Sequence, residues 1–81
     1  MQWNNDGKAI VMEEIILRDE FIKLGQALKA AGLVESGVEA KIVITEGEVL
    51  VNGEVEYQRG KKLYDGDIVS FRGEEILIKQ W

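Results

Sequence analysis

The sequence predicts an α+β fold in which two helices pack beside a small antiparallel sheet of about four to five strands. Two stretches in the first half space their apolar residues as helices do, whereas after Gly47 the apolar residues alternate with a period of two. An Asn-Gly pair at 52–53 separates two of the alternating segments, as in a two-residue β-hairpin. The 81 residues suffice for one hydrophobic core but not for two.

Residues 1–11 are predicted to form a loose tail, because positions 4–7 carry the polar run Asn-Asn-Asp-Gly. A single domain is then expected over residues 12–81. Its first element is predicted to be a short edge-type strand at 14–18, where β-branched and apolar residues follow one another.

The first helix is predicted to begin at Phe21 and to end before Gly32. Its apolar residues at 24, 27, 28 and 31 follow the i, i+3, i+4, i+7 spacing of one helix face. Gly32 stands where a left-handed residue commonly terminates a helix.

The second helix is predicted between Ser36 and Gly47. Ser36 and Glu39 have the spacing of a capping box, in which the hydroxyl accepts from a first-turn N–H and the Glu carboxylate accepts from the N–H of the cap. The β-branched run at 42–45 would also suit a strand, but cap and stop lie about ten residues apart, as for a helix. The expected core stripe comprises Val38, Ile42 and Val43, with Ala40 and Ile44 at its margins.

The second half is predicted to be β-structure. A hairpin at 49–57 turns at Asn52-Gly53, and a basic loop follows at 58–62. Strands are expected at 67–71 and 75–80, joined by a turn at Arg72-Gly73.

The composition excludes several kinds of chemistry. The sequence contains no Cys and no His, which removes thiolate nucleophiles, imidazole bases and the usual zinc ligands. Asp65 and Asp67 form the one carboxylate doublet that could suggest a cation site, but Asp-Gly-Asp before a strand is interpreted as a turn. We therefore expect no enzyme activity, no cofactor and no metal.

The longest apolar runs are too short for a membrane span and no secretory signal is recognised, so a cytoplasmic location is expected.

One short stretch reverses the charge of an otherwise acidic chain. The net charge of −5 argues against indiscriminate coating of nucleic acid. Between Tyr57 and Tyr64, however, lie Arg59, Lys61 and Lys62 with no acidic residue among them. Cations beside an aromatic face suit an RNA phosphate and its unstacked base, with either tyrosine as the stacking residue. The alternative is a solvated loop whose lysines only aid solubility.

Other candidates are weaker when taken alone. Lys41 is expected away from the apolar stripe of the second helix, and Lys23 and Lys29 on a solvated face of the first. The N-terminus of the second helix at Ser36 offers amides and a positive dipole end to an anion, although Glu39 opposes this.

Five short motifs between positions 21 and 71 follow one another with characteristic gaps. They are LGQALK at 24–29, ESG with EAK at 35–41, EGEVLVNGE at 46–54, RGKKL at 59–63 and GDIV at 66–69. In their order and spacing they resemble the αL RNA-binding domain named after the ribosomal protein S-four. Within that superfamily the chain is most similar to small stand-alone bacterial proteins of the YbcJ and YaaA type.

The resemblance implies binding of structured or ribosomal RNA through the two helices and the basic loop. We expect the protein to be a monomer. Lys41 matches a basic position on the second helix, and Arg59, Lys61 and Lys62 match the basic loop. Ser36 and Asn52 match the helix-opening and hairpin-turn positions. We therefore expect these cations to gather on one surface.

A rival resemblance is to β-grasp sulfur carriers, which share the pattern at 51–54 and 63–69. Those carriers use a terminal Gly-Gly, whereas this sequence ends in Trp81. The alternative function is thus a small protein–protein interaction module of β-grasp-like character without sulfur-carrier chemistry.

Overall fold

The computed structural model describes residues 12–81, and the tail predicted at 1–11 lies outside the described residues. Two short helices interrupt a series of strands. The elements in chain order are β1 (Met12–Leu17), β2 (Ile22–Lys23), α1 (Leu24–Ala30), α2 (Gly37–Thr45), β3 (Val49–Val51), β4 (Glu54–Val55), β5 (Lys62–Leu63), β6 (Ile68–Phe71) and β7 (Glu74–Gln80).

The main sheet has five strands in the order β1-β7-β6-β3-β4, and β2 and β5 form a second, two-stranded sheet. This confirms the predicted α+β fold and the edge position of the first strand. The main sheet is mixed and not wholly antiparallel as predicted, because β1 pairs in parallel with β7 while the other neighbours are antiparallel. The parallel pair is possible because the helices and hairpins between β1 and β7 supply the long crossover that it needs.

A single apolar cluster joins both helices to one face of the main sheet. Along β7 the side chains alternate, so that Ile76 and Ile78 are buried whereas Leu77 between them is only half-buried. The largest fully buried side chains are Leu24, Leu28, Ile44, Val49, Leu63, Val69, Ile76 and Ile78. Neither helix of the described chain has the length or apolar character needed to cross a membrane.

α1 begins three residues later than the sequence predicts. Phe21 precedes β2, and the pairing of Ile22 with Leu63 holds the chain extended up to Lys23. The predicted end is correct, since Gly32 has φ +75° and the Leu33 N–H donates to the Leu28 carbonyl at 3.0 Å. These are features of a Schellman termination.

α2 has the predicted cap with one difference in its partner. The Ser36 hydroxyl accepts from the Glu39 N–H at 3.1 Å, as expected. The Glu39 carboxylate accepts instead from the Glu35 N–H at 2.8 Å, one residue before the N-cap. Gly47 follows the helix with φ +78°, so the predicted stop is also correct.

The predicted core stripe of α2 is correct at Val43 but wrong at Val38 and Ile42. Ala40, Val43 and Ile44 are buried, whereas Val38 and Ile42 are 70% and 49% exposed. Both sets have helical spacing, and apolar residues surround so much of this short helix that periodicity cannot choose between them. The set that contains Ala40 is the buried one, because a small side chain lets the helix pack close to its neighbours.

Both predicted two-residue turns are confirmed. Asn52 and Gly53 have φ of 52° and 86°, as a type I′ turn requires, and Arg72 and Gly73 have 51° and 84°. The loop predicted at 58–62 is shorter than expected, because Lys62 belongs to β5 and pairs with Lys23 of β2.

Candidate functional site

Two backbone hydrogen bonds join the basic loop to the first turn of α1. The Leu24 N–H donates to the Lys61 carbonyl at 2.8 Å, and the Gly25 N–H donates to the Arg59 carbonyl at 3.0 Å. The side chain of the N-cap residue, Lys23, makes no capping hydrogen bond. The loop backbone instead accepts from amides that a helix otherwise leaves without partners. The contact therefore fixes the position of residues 59–61 relative to α1.

Gly25 makes this close approach possible. A Cβ atom at Gly25 would lie 2.7 Å from Arg59 Cγ and 3.3 Å from Arg59 Cδ. Carbon atoms are not found so close without displacement, since their optimal separation is about 3.5–4.0 Å. The aliphatic stem of Arg59 thus lies directly on the backbone of α1.

Three cationic residues line one surface depression of about 400 Å³, which we call the cationic concavity. Lys23 is the last residue of β2, directly before α1, and not a residue of the first helix as predicted. Lys29 lies in the last turn of α1, and Arg59 comes from the loop. The other lining residues among positions 12–81 are Gly25, Gln26, Gly37 and Gly60, so that no carboxylate of this range lines the concavity. The three predicted cations are therefore brought together by the fold.

Lys41 extends this surface along α2. Gly37, which lines the cationic concavity, and Lys41 stand four residues apart in α2. Residues with that spacing share one helix face, and Lys41 is exposed. A ligand bound in the concavity therefore needs to extend only one helical turn to reach Lys41.

Lys61 and Lys62 occupy a different depression, of about 460 Å³, which we call the mixed concavity. Both lysines share it with carboxylates, so the expectation that all cations gather on one surface is met only in part. The residues that line the mixed concavity are Val51, Asn52, Glu54, Val55, Glu56, Lys61, Lys62, Tyr64 and Asp67.

The two tyrosines that flank the loop lie in different places. Tyr64 lines the mixed concavity, and its ring centroid is 6.1 Å from that of Phe21. Lys62 Nζ lies 4.8 Å from the Phe21 centroid, within the range of a cation–π contact. Tyr57 instead approaches Gly47 after α2, with ring and hydroxyl atoms 3.5 Å from the position of a Cβ there. The sequence does not indicate a role for Phe21 at this site, because its apolar spacing predicts Phe21 as the start of a helix.

Two further candidates have structural hydrogen bonds. Asn52 Nδ2 donates to Asp67 Oδ1 at 3.0 Å, and Asn52 Oδ1 accepts from the Ile68 N–H at 2.9 Å. The side chain thereby joins the hairpin turn to β6. The Ser36 hydroxyl is engaged in the cap of α2.

Among residues 12–81, the one ion pair joins Arg72 and Glu48. Arg72 Nε–H donates to Glu48 Oε1 at 2.9 Å, which raises the pKa of the Arg72 guanidinium above its ordinary value. Within that same range no carboxylate lies within 4.0 Å of the charged nitrogens of Lys23, Lys29 or Arg59.

The Asp65-Gly66-Asp67 segment is a turn, as interpreted from the sequence. Asp65 Oδ1 accepts from the Gln80 N–H at 2.7 Å, and Asp67 Oδ2 accepts from the Tyr64 N–H at 2.8 Å. In the described part of the chain no three His, Cys, Asp or Glu side chains are grouped to hold a metal ion.

Comparison with known proteins gives concordant matches. The family model described as the S4 domain matches residues 15–79. A Bacillus subtilis protein, named as a probable ribosome maturation protein, RlbA, is 49% identical over 59 residues, which cover 73% of this chain and 83% of that protein. The Escherichia coli protein YbcJ, named as a candidate RNA-binding protein, is 42% identical over 57 residues, covering 70% of this chain and 81% of YbcJ.

A solved structure gives the same match at the level of the fold. The solution structure of Escherichia coli YbcJ aligns with a TM-score of 0.63 and 30% identity, and covers 98% of this chain and 99% of that one. That structure is described as revealing an αL motif involved in RNA binding.

Proposed function

Because the chain belongs to the S4 domain family, we propose that it is a non-enzymatic protein that binds structured RNA through the cationic concavity. The relatives support RNA as the ligand, since YbcJ carries that activity in its name and its structure is described in the same terms. The name of the Bacillus subtilis relative favours ribosomal RNA within that class.

The observation that carries the proposal is the local reversal of charge. The chain carries −5 overall, yet Lys23, Lys29 and Arg59 surround a depression that no carboxylate of the described residues lines. Nucleic-acid affinity depends on the cations at the contact rather than on the sum over the chain. The backbone of Gly60 also faces this concavity, where its lack of a side chain allows a phosphate to approach.

The RNA is recognised mainly by shape. Lys23, Lys29, Lys41 and Arg59 are suited to phosphate contacts, which position an RNA without reading its sequence. With three to four such contacts, log K should fall against log salt with a slope of about −2 to −4. The remaining predicted contacts, at Ser36, Asn52, Tyr57, Lys61, Lys62 and Tyr64, stay predictions.

We further propose that residues 12–81 act as a single domain, and that the protein binds as a monomer in the cytoplasm, where bacterial ribosomes are assembled. The role of the relative in ribosome maturation, as its name gives it, supports that location. Sedimentation of the protein with and without RNA tests the monomeric state, and fractionation of cells tests the location.

The central test compares two variants that lose the same charge at different places. Lys29→Ala/Arg59→Ala removes two cations from the cationic concavity. Arg72→Ala/Lys79→Ala removes two exposed cations that line neither concavity. Filter binding of a hairpin RNA between 50 and 200 mM salt should show a slope reduced in magnitude by about 1.5 for the first variant only. Equal slopes for the two variants would refute the assignment of this face.

A further inference from the structure

We propose that the mixed concavity binds one unpaired guanine nucleotide of the RNA, next to the structured part held by the cationic concavity. This inference rests on the proposed function and adds the identity of a base to it. The volume of about 460 Å³ lies within the range of small-molecule sites and accommodates a single nucleotide.

Tyr64 offers the stacking surface. It is 43% exposed, lines the concavity, and contacts Phe21, which is not among the lining residues. Support from a second ring reduces the freedom of the tyrosine before a base arrives, so that less entropy is lost on stacking. Lys62, held over Phe21, and Lys61 supply cations at the same concavity for the phosphate of that nucleotide.

The carboxylates favour a base edge that carries donors. Asp67 already accepts from Asn52 Nδ2 and from the Tyr64 N–H. Glu56 is half-buried, and its Oε2 accepts from the Gln58 N–H at 3.1 Å, which holds the carboxylate at the concavity. An ionised carboxylate has two oxygens and about four lone-pair sites, so Glu56 can accept further hydrogen bonds.

Guanine is the base whose edge matches the two acceptor oxygens of the Glu56 carboxylate. Its Watson–Crick edge presents the N1–H and the N2 amine as adjacent donors, whereas the other three bases present an acceptor beside their donor. A carboxylate rejects acceptor atoms and additional phosphates through charge repulsion. The mixture of lysines, carboxylates and an aromatic ring therefore suits one guanine nucleotide better than a continuous duplex.

The short loop 58–61 connects the two sites. Arg59 and Gly60 line the cationic concavity, and Lys61 lines the mixed one. One RNA strand that crosses this loop can therefore place a helical stem in the first site and its flanking nucleotide in the second.

The experiment measures fluorescence anisotropy of a labelled RNA hairpin that is blunt or carries one 3′ overhanging nucleotide: guanosine, inosine, adenosine or uridine. Guanosine should bind about tenfold more tightly than uridine or adenosine, and inosine, which lacks the N2 amine, should fall between them. Tyr64→Leu should reduce the affinity for the guanosine RNA by roughly five- to a hundredfold, toward that of the blunt hairpin. Glu56→Gln should remove the preference for guanosine, because an amide presents only one acceptor beside a donor.

Trp81→Leu provides the matched control, because it removes another exposed aromatic ring that lines neither concavity. Equal affinities of the wild-type protein for all overhangs and the blunt hairpin would overturn the guanine site while leaving RNA binding intact. Loss of affinity on Tyr57→Leu instead of Tyr64→Leu would likewise overturn it. Failure of the proposed function is recognised separately, as absence of salt-dependent binding to the blunt hairpin.

Discussion

Gly25→Ala is expected to displace Arg59 from the cationic concavity without touching the RNA itself. The added methyl carbon would stand 2.7 Å from Arg59 Cγ and 3.3 Å from Arg59 Cδ, so the arginine stem must rotate away. The Arg59 carbonyl is 3.6 Å from the same position, an ordinary contact, so the loop backbone can stay in place. The substitution therefore tests the orientation of one side chain.

Two effects of opposite sign determine the change in stability. Overpacking of a close contact costs about 1–3 kcal/mol, whereas replacing a helical glycine by alanine gains about 0.5–1 kcal/mol. The free energy of unfolding should therefore fall by up to about 2.5 kcal/mol. RNA binding should lose one phosphate contact, which reduces the magnitude of the salt slope by about 0.7–0.9.

The assay is a double-mutant cycle with Arg59→Ala, measured by urea unfolding and by filter binding at several salt concentrations. Without Cγ and Cδ at position 59, Gly25→Ala has little to displace. In that background it should be neutral or stabilising by about 0.5–1 kcal/mol, and it should leave the salt slope unchanged.

An equal loss of stability on Gly25→Ala in the two backgrounds would contradict the close contact of Gly25 with Arg59, because the strain would then not involve the Arg59 side chain. The prediction is also refuted if the single variant keeps the full salt slope, because the position held by Gly25 would then be irrelevant to the phosphate contact. Recovery of stability in the double variant is informative even if the single variant does not fold.

Three further predictions concern the fold and are checked by chemical denaturation. Ile44→Ala should lower the free energy of unfolding by about 2–5 kcal/mol, whereas Ile42→Ala should change it by less than about 1 kcal/mol, since only Ile44 is fully buried; equal costs would contradict the assigned helix face. Asn52→Ala should cost about 1–3 kcal/mol through its lost hydrogen bonds to Asp67 and Ile68 and its positive φ, and a neutral result would contradict that role. Ser36→Ala should cost about 1 kcal/mol by removing the cap of α2, with Ser36→Thr as the control that retains it.

The local elements were predictable wherever a residue carries its own conformational signal. Gly32 and Gly47 end the helices because a left-handed conformation is least costly for glycine, and this does not depend on distant residues. The Ser36 cap and the Asn52-Gly53 turn are local in the same sense. These signals were sufficient to predict the α+β class, whereas the family was indicated by the resemblance of five short motifs in their order and spacing.

Features that depend on packing against another part of the chain could not be predicted from the sequence in this way. The buried face of α2 includes Ile44 rather than Ile42, because helical spacing fits both and only packing distinguishes them. The sequence predicts a helix from Phe21, whereas α1 begins at Leu24. The pairing of β2 with β5 keeps the preceding residues extended, and it joins segments some forty residues apart, so no local pattern indicates it.

For the candidate site, the sequence shows which residues carry positive charge in an acidic chain. It also predicts that they lie beside short elements with clear ends. The division of those charges between two surfaces follows from the fold. Within residues 12–81, Lys23, Lys29 and Arg59 share a concavity that no carboxylate lines, whereas Lys61 and Lys62 share one with Glu54, Glu56 and Asp67. The position of these cations depends on backbone contacts between segments distant in sequence. The main ones are the hydrogen bonds of the Leu24 and Gly25 N–H groups to the carbonyls of the loop. Such contacts leave no periodic trace in the order of the residues.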